Sequence, residues 1–65
     1  MLDYNIIALK PADAARAMGV SRATIYTLLR EGKIRARKHG TRTLIDPESL
    51  RAYFASLPDY DGRSA

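Results

Sequence analysis

Gly-Val-Ser at positions 19–21 divides two short runs of helix-forming residues, and it limits how this chain can fold more than any other feature. Glycine enters the left-handed conformation that closes a helix without steric penalty, so Gly19 ends the first run. Ser21 opens the second, because its hydroxyl can accept from an orphan amide one turn further on. Pro11 suits the first position of a helix, where its missing N–H is not needed, and Asp13 falls in the first turn, where the helix dipole favours an anion. The pattern predicts one helix over 11–18 and a second over 22–31, with Gly32 as the next breaker.

Two short helices joined this closely must cross. A helix-turn-helix corner needs a small residue at the crossing, a glycine four positions later and a β-branched apolar residue in the second helix; Ala15, Gly19 and Ile25 fit these roles, and Val20 can plug the corner. In the second helix Ile25, Leu28 and Leu29 gather on one face, expected to be buried. Arg22, Tyr26 and Arg30, spaced by four, form an outward ridge with Ala23 and Thr27 beside it.

Residues 33–45 alternate around a turn, Ile34 and Ala36 against Arg35 and Arg37, then His39-Gly40, then β-branched Thr and Ile, which is a hairpin signal. Asp46-Pro47 is a cap and first-turn pair for a third helix, in which Leu50, Tyr53, Phe54 and Leu57 recur at helical spacing and are expected to close the core. Pro58 ends it. Residues 4–9, Tyr-Asn-Ile-Ile-Ala-Leu, are long enough for an edge strand or an extended lead-in.

Sixty-five residues allow one small domain without a deep cleft, and 46% apolar with 28% charged residues suits a single core rather than a disordered tail. There is no cysteine, which removes disulfides, thiolate catalysis and Cys-ligated zinc and suits a reducing cytoplasm. The one histidine, His39, lacks partners for a metal site. No constellation of acid, base or metal ligand supports an enzyme, and no metal or other cofactor is expected. No apolar run approaches the length of a membrane-spanning helix, and no secretory signal is visible.

Charge is segregated. Between Arg22 and Arg42 seven basic residues face the single acid Glu31, a net charge of +6, whereas the rest of the chain has four bases and six acids, a net charge of −2. A merely solvated face does not account for that division. It concentrates positive potential where a phosphate backbone would lie and favours duplex DNA.

The ordered motifs carry a resemblance. Ala-Asp-Ala-Ala-Arg-Ala-Met-Gly-Val-Ser-Arg-Ala-Thr-Ile-Tyr, then Leu-Leu-Arg-Glu-Gly-Lys-Ile, then a basic hairpin with Gly40 and Arg42, then Ile-Asp-Pro-Glu-Ser-Leu-Arg-Ala-Tyr make residues 10–57 similar to the excisionase-type, MerR-like winged helix-turn-helix proteins of bacteria, phages and plasmids. The resemblance implies a mainly α fold with a small β-hairpin: a winged helix-turn-helix of three helices and a two- or three-stranded wing. Residues 1–9 would be the lead-in or edge strand, 10–57 the DNA-binding domain and 58–65 a mobile C-terminal tail. The recognition helix would be 22–31, set in the major groove, and the wing would centre on residues 38–42, on neighbouring backbone or minor groove. Two positions depart from the family pattern: Lys10 stands where a Ser or Thr cap is common, and His39 where an apolar wing residue is common.

Base readout is expected of Arg22, Ala23, Tyr26 and Thr27. Arg22 either grips guanine with its planar fork or clamps a phosphate. Tyr26 either packs on a sugar, thymine methyl or phosphate, or is a partly buried ring against the wing. Backbone and wing contacts are expected of Ser21, Arg30, Lys33, Arg35, Arg37, Lys38, His39, Thr41 and Arg42, supplying mainly sequence-blind attraction. Tyr53 and Phe54 are expected in the core rather than on a stacking platform.

The expected function is sequence-specific binding of double-stranded DNA by a small architectural excisionase, that is, a recombination directionality factor, or by a mobile-element regulator. The alternatives are a small transcriptional regulator binding promoter repeats and, from another class, a protein-interaction adaptor with a basic surface. An integrase or RNA polymerase is a candidate partner. The segment after Leu57 is too short for the long dimerisation helix of MerR regulators, so a monomer in free solution with head-to-tail association on DNA is expected, located in the cytoplasm at the nucleoid.

Overall fold

The computed structural model describes residues 6–61. Helix α1 spans Pro11–Met18, α2 Arg22–Arg30 and α3 Pro47–Ala55; between α2 and α3 lie strands β1, Ala36–His39, and β2, Arg42–Ile45. Each helix boundary has a local cause. Pro11 is the first residue of α1, and Lys10 before it makes no side-chain cap, so the departure noted at that position leaves this terminus weakly closed. Gly19 ends α1 at φ +80°, and the amides of both Gly19 and Val20 donate to the Ala15 carbonyl, at 2.8 and 2.9 Å.

Ser21 caps α2, its Oγ accepting from the Thr24 amide at 3.1 Å. The helix closes at Arg30, with Glu31 as its C-cap, one residue short of the expected end. Gly32 follows at φ +71°, and Lys33 N–H donates to Leu28 O at 2.9 Å, turning the chain back toward the core. Ile34, buried, begins the approach to the hairpin.

The hairpin is antiparallel, pairing Ala36 with Ile45, Arg37 with Leu44, Lys38 with Thr43 and His39 with Arg42 across the Gly40-Thr41 turn. Gly40 takes φ +64°, which glycine adopts without strain. The sheet has two strands. The expected edge strand over 4–9 reduces to one bridge, Leu9 to Ile45, held by amides donating in both directions at 3.0 and 2.7 Å. The reason is the chain's next step. Pro11 turns it into α1 immediately after Leu9 and Lys10, so one residue reaches β2 before the direction changes, and Ile7 is left 90% exposed. Tyr4 and Asn5, with the rest of residues 1–5, and residues 62–65 of the expected tail lie outside the described residues.

Leu9, Ala14, Ala15, Ile25, Leu28, Ile34, Ile45 and Leu50 form the core, with Ile25 and Ile45 fully buried and Val20 packed at its edge. No polar side chain is buried among the described residues. Ala15 and Ile25 occupy the crossing as their sizes require. Leu29 is half-buried rather than part of the sealed face. The third helix corrects the sequence expectation more strongly. Asp46 caps it by accepting from the Glu48 amide at 3.0 Å, and Pro47 and Leu50 are buried, but Tyr53 is half-buried, Phe54 is 64% exposed and Leu57 39% exposed. Tyr53 still packs against the core, as expected, whereas Phe54 points away from it. The helix also stops at Ala55, where the Ser56 amide turns to the carbonyls of Ala52 and Tyr53, so Leu57 falls beyond the face it was expected to extend.

Candidate nucleic-acid interface

The exposed side of α2 carries the residues singled out above. Arg22 and Ala23 stand exposed in the first turn beside the Ser21 cap, Tyr26 and Thr27 are half-buried in the middle, and Arg30 is exposed at the end. Two of these side chains are held by their neighbours. The Arg22 guanidinium lies over the Tyr26 ring, 6.0 Å from its centroid, a cation–π contact one helical turn apart. Arg30 Nη2 donates to Thr27 Oγ1 at 3.1 Å. Ser21 Oγ, besides capping, lies 3.0 Å from Thr24 Oγ1.

In the hairpin, successive side chains alternate faces and cross-strand partners share one. Ala36 and Ile45 therefore face the core side together with Lys38 and Thr43, while Arg37, Leu44, His39 and Arg42 take the opposite face. Lys38 is tied down on its side, its Nζ donating to Thr41 O at 3.4 Å and Thr43 Oγ1 at 3.3 Å. Arg37, His39 and Arg42 are exposed on the other side, and none of their side chains has a hydrogen-bond or ion-pair partner among the described residues. The same holds for the exposed Lys33 side chain, just past α2.

Arg35 behaves differently from the other basic residues of the hairpin. Its Nη2 donates to Asp46 Oδ2 at 3.3 Å, and its backbone N–H donates to Ser49 Oγ at 2.9 Å, so it anchors the root of the hairpin to the start of α3. The side chain is nonetheless 79% exposed. Asp46 and Ser49 were not placed at the site by sequence reasoning; Asp46 was legible only as a helix cap.

Leu29, Ile34, Arg35, Ala36, Arg37 and Asp46 line one shallow concavity between α2 and the hairpin root. Arg22, Tyr26 and Leu29 fall at i, i+4 and i+7 along α2, so the flank carrying the stacked arginine is the one that leads to this concavity. That i+7 spacing was the available sequence signal for Leu29's place.

The helix-turn-helix domain family model matches residues 8–58, more than three quarters of the chain. The chain belongs to the helix-turn-helix domain family. This is a DNA-binding family, and the three helices with a two-stranded hairpin make the domain a winged helix-turn-helix. No curated protein and no solved structure matches the chain. Among the described residues no helix is long and apolar enough to cross a membrane, and no group of three or more potential ligands could hold a metal ion.

Proposed function

We propose that this helix-turn-helix domain binds double-stranded DNA sequence-specifically, as a small architectural excisionase or mobile-element regulator. Its α2 ridge would enter the major groove and its hairpin would rest on the adjacent backbone. The observation that carries this reading is that α2 and the hairpin each keep basic side chains exposed, Arg22 and Arg30 on the helix and Arg37 and Arg42, with His39, on one hairpin face where their side chains have no partner among the described residues. A helix of nine residues is about 13 Å long, and the major groove admits a helix of ordinary diameter.

The division of labour follows from chemistry. Arg22, Ala23, Tyr26 and Thr27 meet base edges, where sequence is read, while Ser21, Arg30, Lys33, Arg37, Lys38, His39, Thr41 and Arg42 fix register on phosphate and sugar. Arg35, paired with Asp46, adds less to that attraction. No covalent step is involved, and the family is typically non-enzymatic.

One module reads few base pairs, so specificity comes from copies aligned head-to-tail on repeats, from bending, or from a partner such as an integrase or RNA polymerase. The protein is a monomer before it meets DNA and works at the bacterial nucleoid. The similarity of residues 10–57 to excisionase-type proteins supports the recombination role.

Fluorescence anisotropy with random and selected duplexes at several salt concentrations tests DNA binding. Submicromolar affinity at low salt that weakens steeply with added salt is expected. Feeble binding to every duplex even at low salt would replace this reading with that of an adaptor for an acidic protein. A recombination assay with the cognate integrase, set beside a promoter reporter, separates excision from regulation.

A further inference from the structure

We infer that the α2 ridge selects duplex sites by guanine, through Arg22 held in place by Tyr26, with Thr27 donating to a second base acceptor. The inference rests on the DNA-binding reading and narrows it to a class of target.

Its first support is what α2 does not contain. The helix reads Arg-Ala-Thr-Ile-Tyr-Thr-Leu-Leu-Arg and has no Asn, Gln, Asp or Glu. Adenine is matched in the major groove by a side chain that both donates and accepts, and the cytosine amino group by an acceptor such as a carboxylate. The amide and carboxylate side chains that make those pairings are absent from α2, and the hydroxyls of Thr24, Tyr26 and Thr27, which both donate and accept, each offer a single contact that does not distinguish the bases as a two-point contact does. Guanine shows two neighbouring acceptors, O6 and N7, to that groove, and a guanidinium fork fits both.

The second support is preorganisation. Arg22 lies in the first turn of α2, the end from which helices of this motif contact bases. A free arginine side chain loses rotamer entropy when it is fixed. Here the Tyr26 ring lies beneath the guanidinium at 6.0 Å and limits its range without using any of its five donors. This replaces the direct base contact proposed above for Tyr26 with a positioning role, exercised on Arg22 through its ring rather than its hydroxyl. Arg30 plays a similar part for Thr27: by donating to Oγ1 at 3.1 Å it occupies a lone pair and leaves the hydroxyl proton free for an acceptor on the next base step. Ala23, exposed between them, offers a methyl that suits a thymine methyl.

The test is selection of bound sequences from a random duplex library by the full chain, repeated with Arg22→Ala, Tyr26→Phe and Tyr26→Leu, with circular dichroism confirming the fold of each. The expected wild-type motif contains an invariant guanine whose replacement weakens binding roughly tenfold to a hundredfold. Arg22→Ala should erase the preference at that position alone. Tyr26→Phe should preserve it, and Tyr26→Leu should reduce it severalfold while leaving the salt dependence unchanged. If Tyr26→Leu does not fold, the Phe variant still decides, since loss of affinity for all sequences there would assign Tyr26 to a phosphate through its hydroxyl and overturn its positioning role. A motif fixed at A·T pairs without guanine, or a guanine preference that survives Arg22→Ala, overturns the inference while DNA binding stands. Absence of binding to any duplex overturns the underlying reading instead.

Discussion

Arg35 and Asp46 meet at the root of the wing, Nη2 donating to Oδ2 at 3.3 Å, while the Asp46 amide donates to the Arg35 carbonyl at 2.9 Å. The Ser49 hydroxyl donates to the Asp46 carbonyl at 2.9 Å and completes the joint between hairpin and third helix. Asp46 thus does two things at once, because its other carboxylate oxygen caps α3.

The two partners should therefore differ on substitution. The ion pair is exposed and contributes at most about 1 kcal/mol, so Arg35→Ala should cost less than that. Asp46→Ala loses the cap as well and should cost about 1–2 kcal/mol. Asp46→Asn keeps a capping oxygen and should fall near Arg35→Ala. Urea denaturation of the three variants orders them; equal losses for Asp46→Asn and Asp46→Ala would mean that the charge, not the cap, sets the cost.

Gly19→Ala tests the corner between α1 and α2. A Cβ there would meet nothing within 4 Å, so the penalty is purely conformational, the cost of holding an L-residue at φ +80°. About 1 kcal/mol of destabilisation is expected, with a fold unchanged by circular dichroism. A larger loss would point to rearrangement of the corner itself.

Ile25 is fully buried between the crossing helices, and its truncation should be far more severe. Ile25→Val should cost about 0.5–1.5 kcal/mol and Ile25→Ala about 2–5 kcal/mol, which for so small a domain approaches the whole margin of stability. Thermal melts are expected to show a cooperative transition for the first and little or none for the second.

These residues also show what could be read from the chain. The boundaries of α1, the cap of α2 and the wing turn follow from Pro11, Gly19, Ser21 and Gly40, whose effects on the backbone are local and do not depend on what packs above them. Ile25 was legible for a related reason: its spacing from Ala15 and Gly19 is that of a tight crossing. Periodicity failed where extent mattered. The apolar spacing of Leu50, Tyr53, Phe54 and Leu57 describes a face, but not how wide a strip of it the rest of the molecule covers: Leu50 and Tyr53 pack on the core, while Phe54, one position round from Tyr53, and Leu57, beyond the helix end, stand exposed. In the candidate site, the ridge of Arg22, Tyr26 and Arg30 was visible as a spacing, whereas the joining of Arg35 to Asp46 depends on the hairpin closing across eleven residues.

That pairing makes the basic residues of the wing unequal, and salt dependence exposes the difference. Arg37 and Arg42 stand on one hairpin face with their guanidinium groups unpartnered among the described residues, available to neutralise phosphates, while Arg35 already has a carboxylate beside it. Each phosphate contact contributes about 0.9 to the slope of log affinity against log salt concentration, through release of condensed counterions. Arg37→Ala and Arg42→Ala should each flatten the slope by up to about that amount, for specific and random duplexes alike, and Arg35→Ala should change it much less. Lys38, tethered to Thr41 and Thr43 on the other face, is expected to fall between them, because its ammonium keeps its charge and one unused donor but is held to the hairpin. Anisotropy titrations across a fourfold range of salt would measure all four. A flattening by Arg35→Ala as large as that by Arg42→Ala would show that the Asp46 pair opens on DNA and that the wing engages the backbone through its root as well as its outer face.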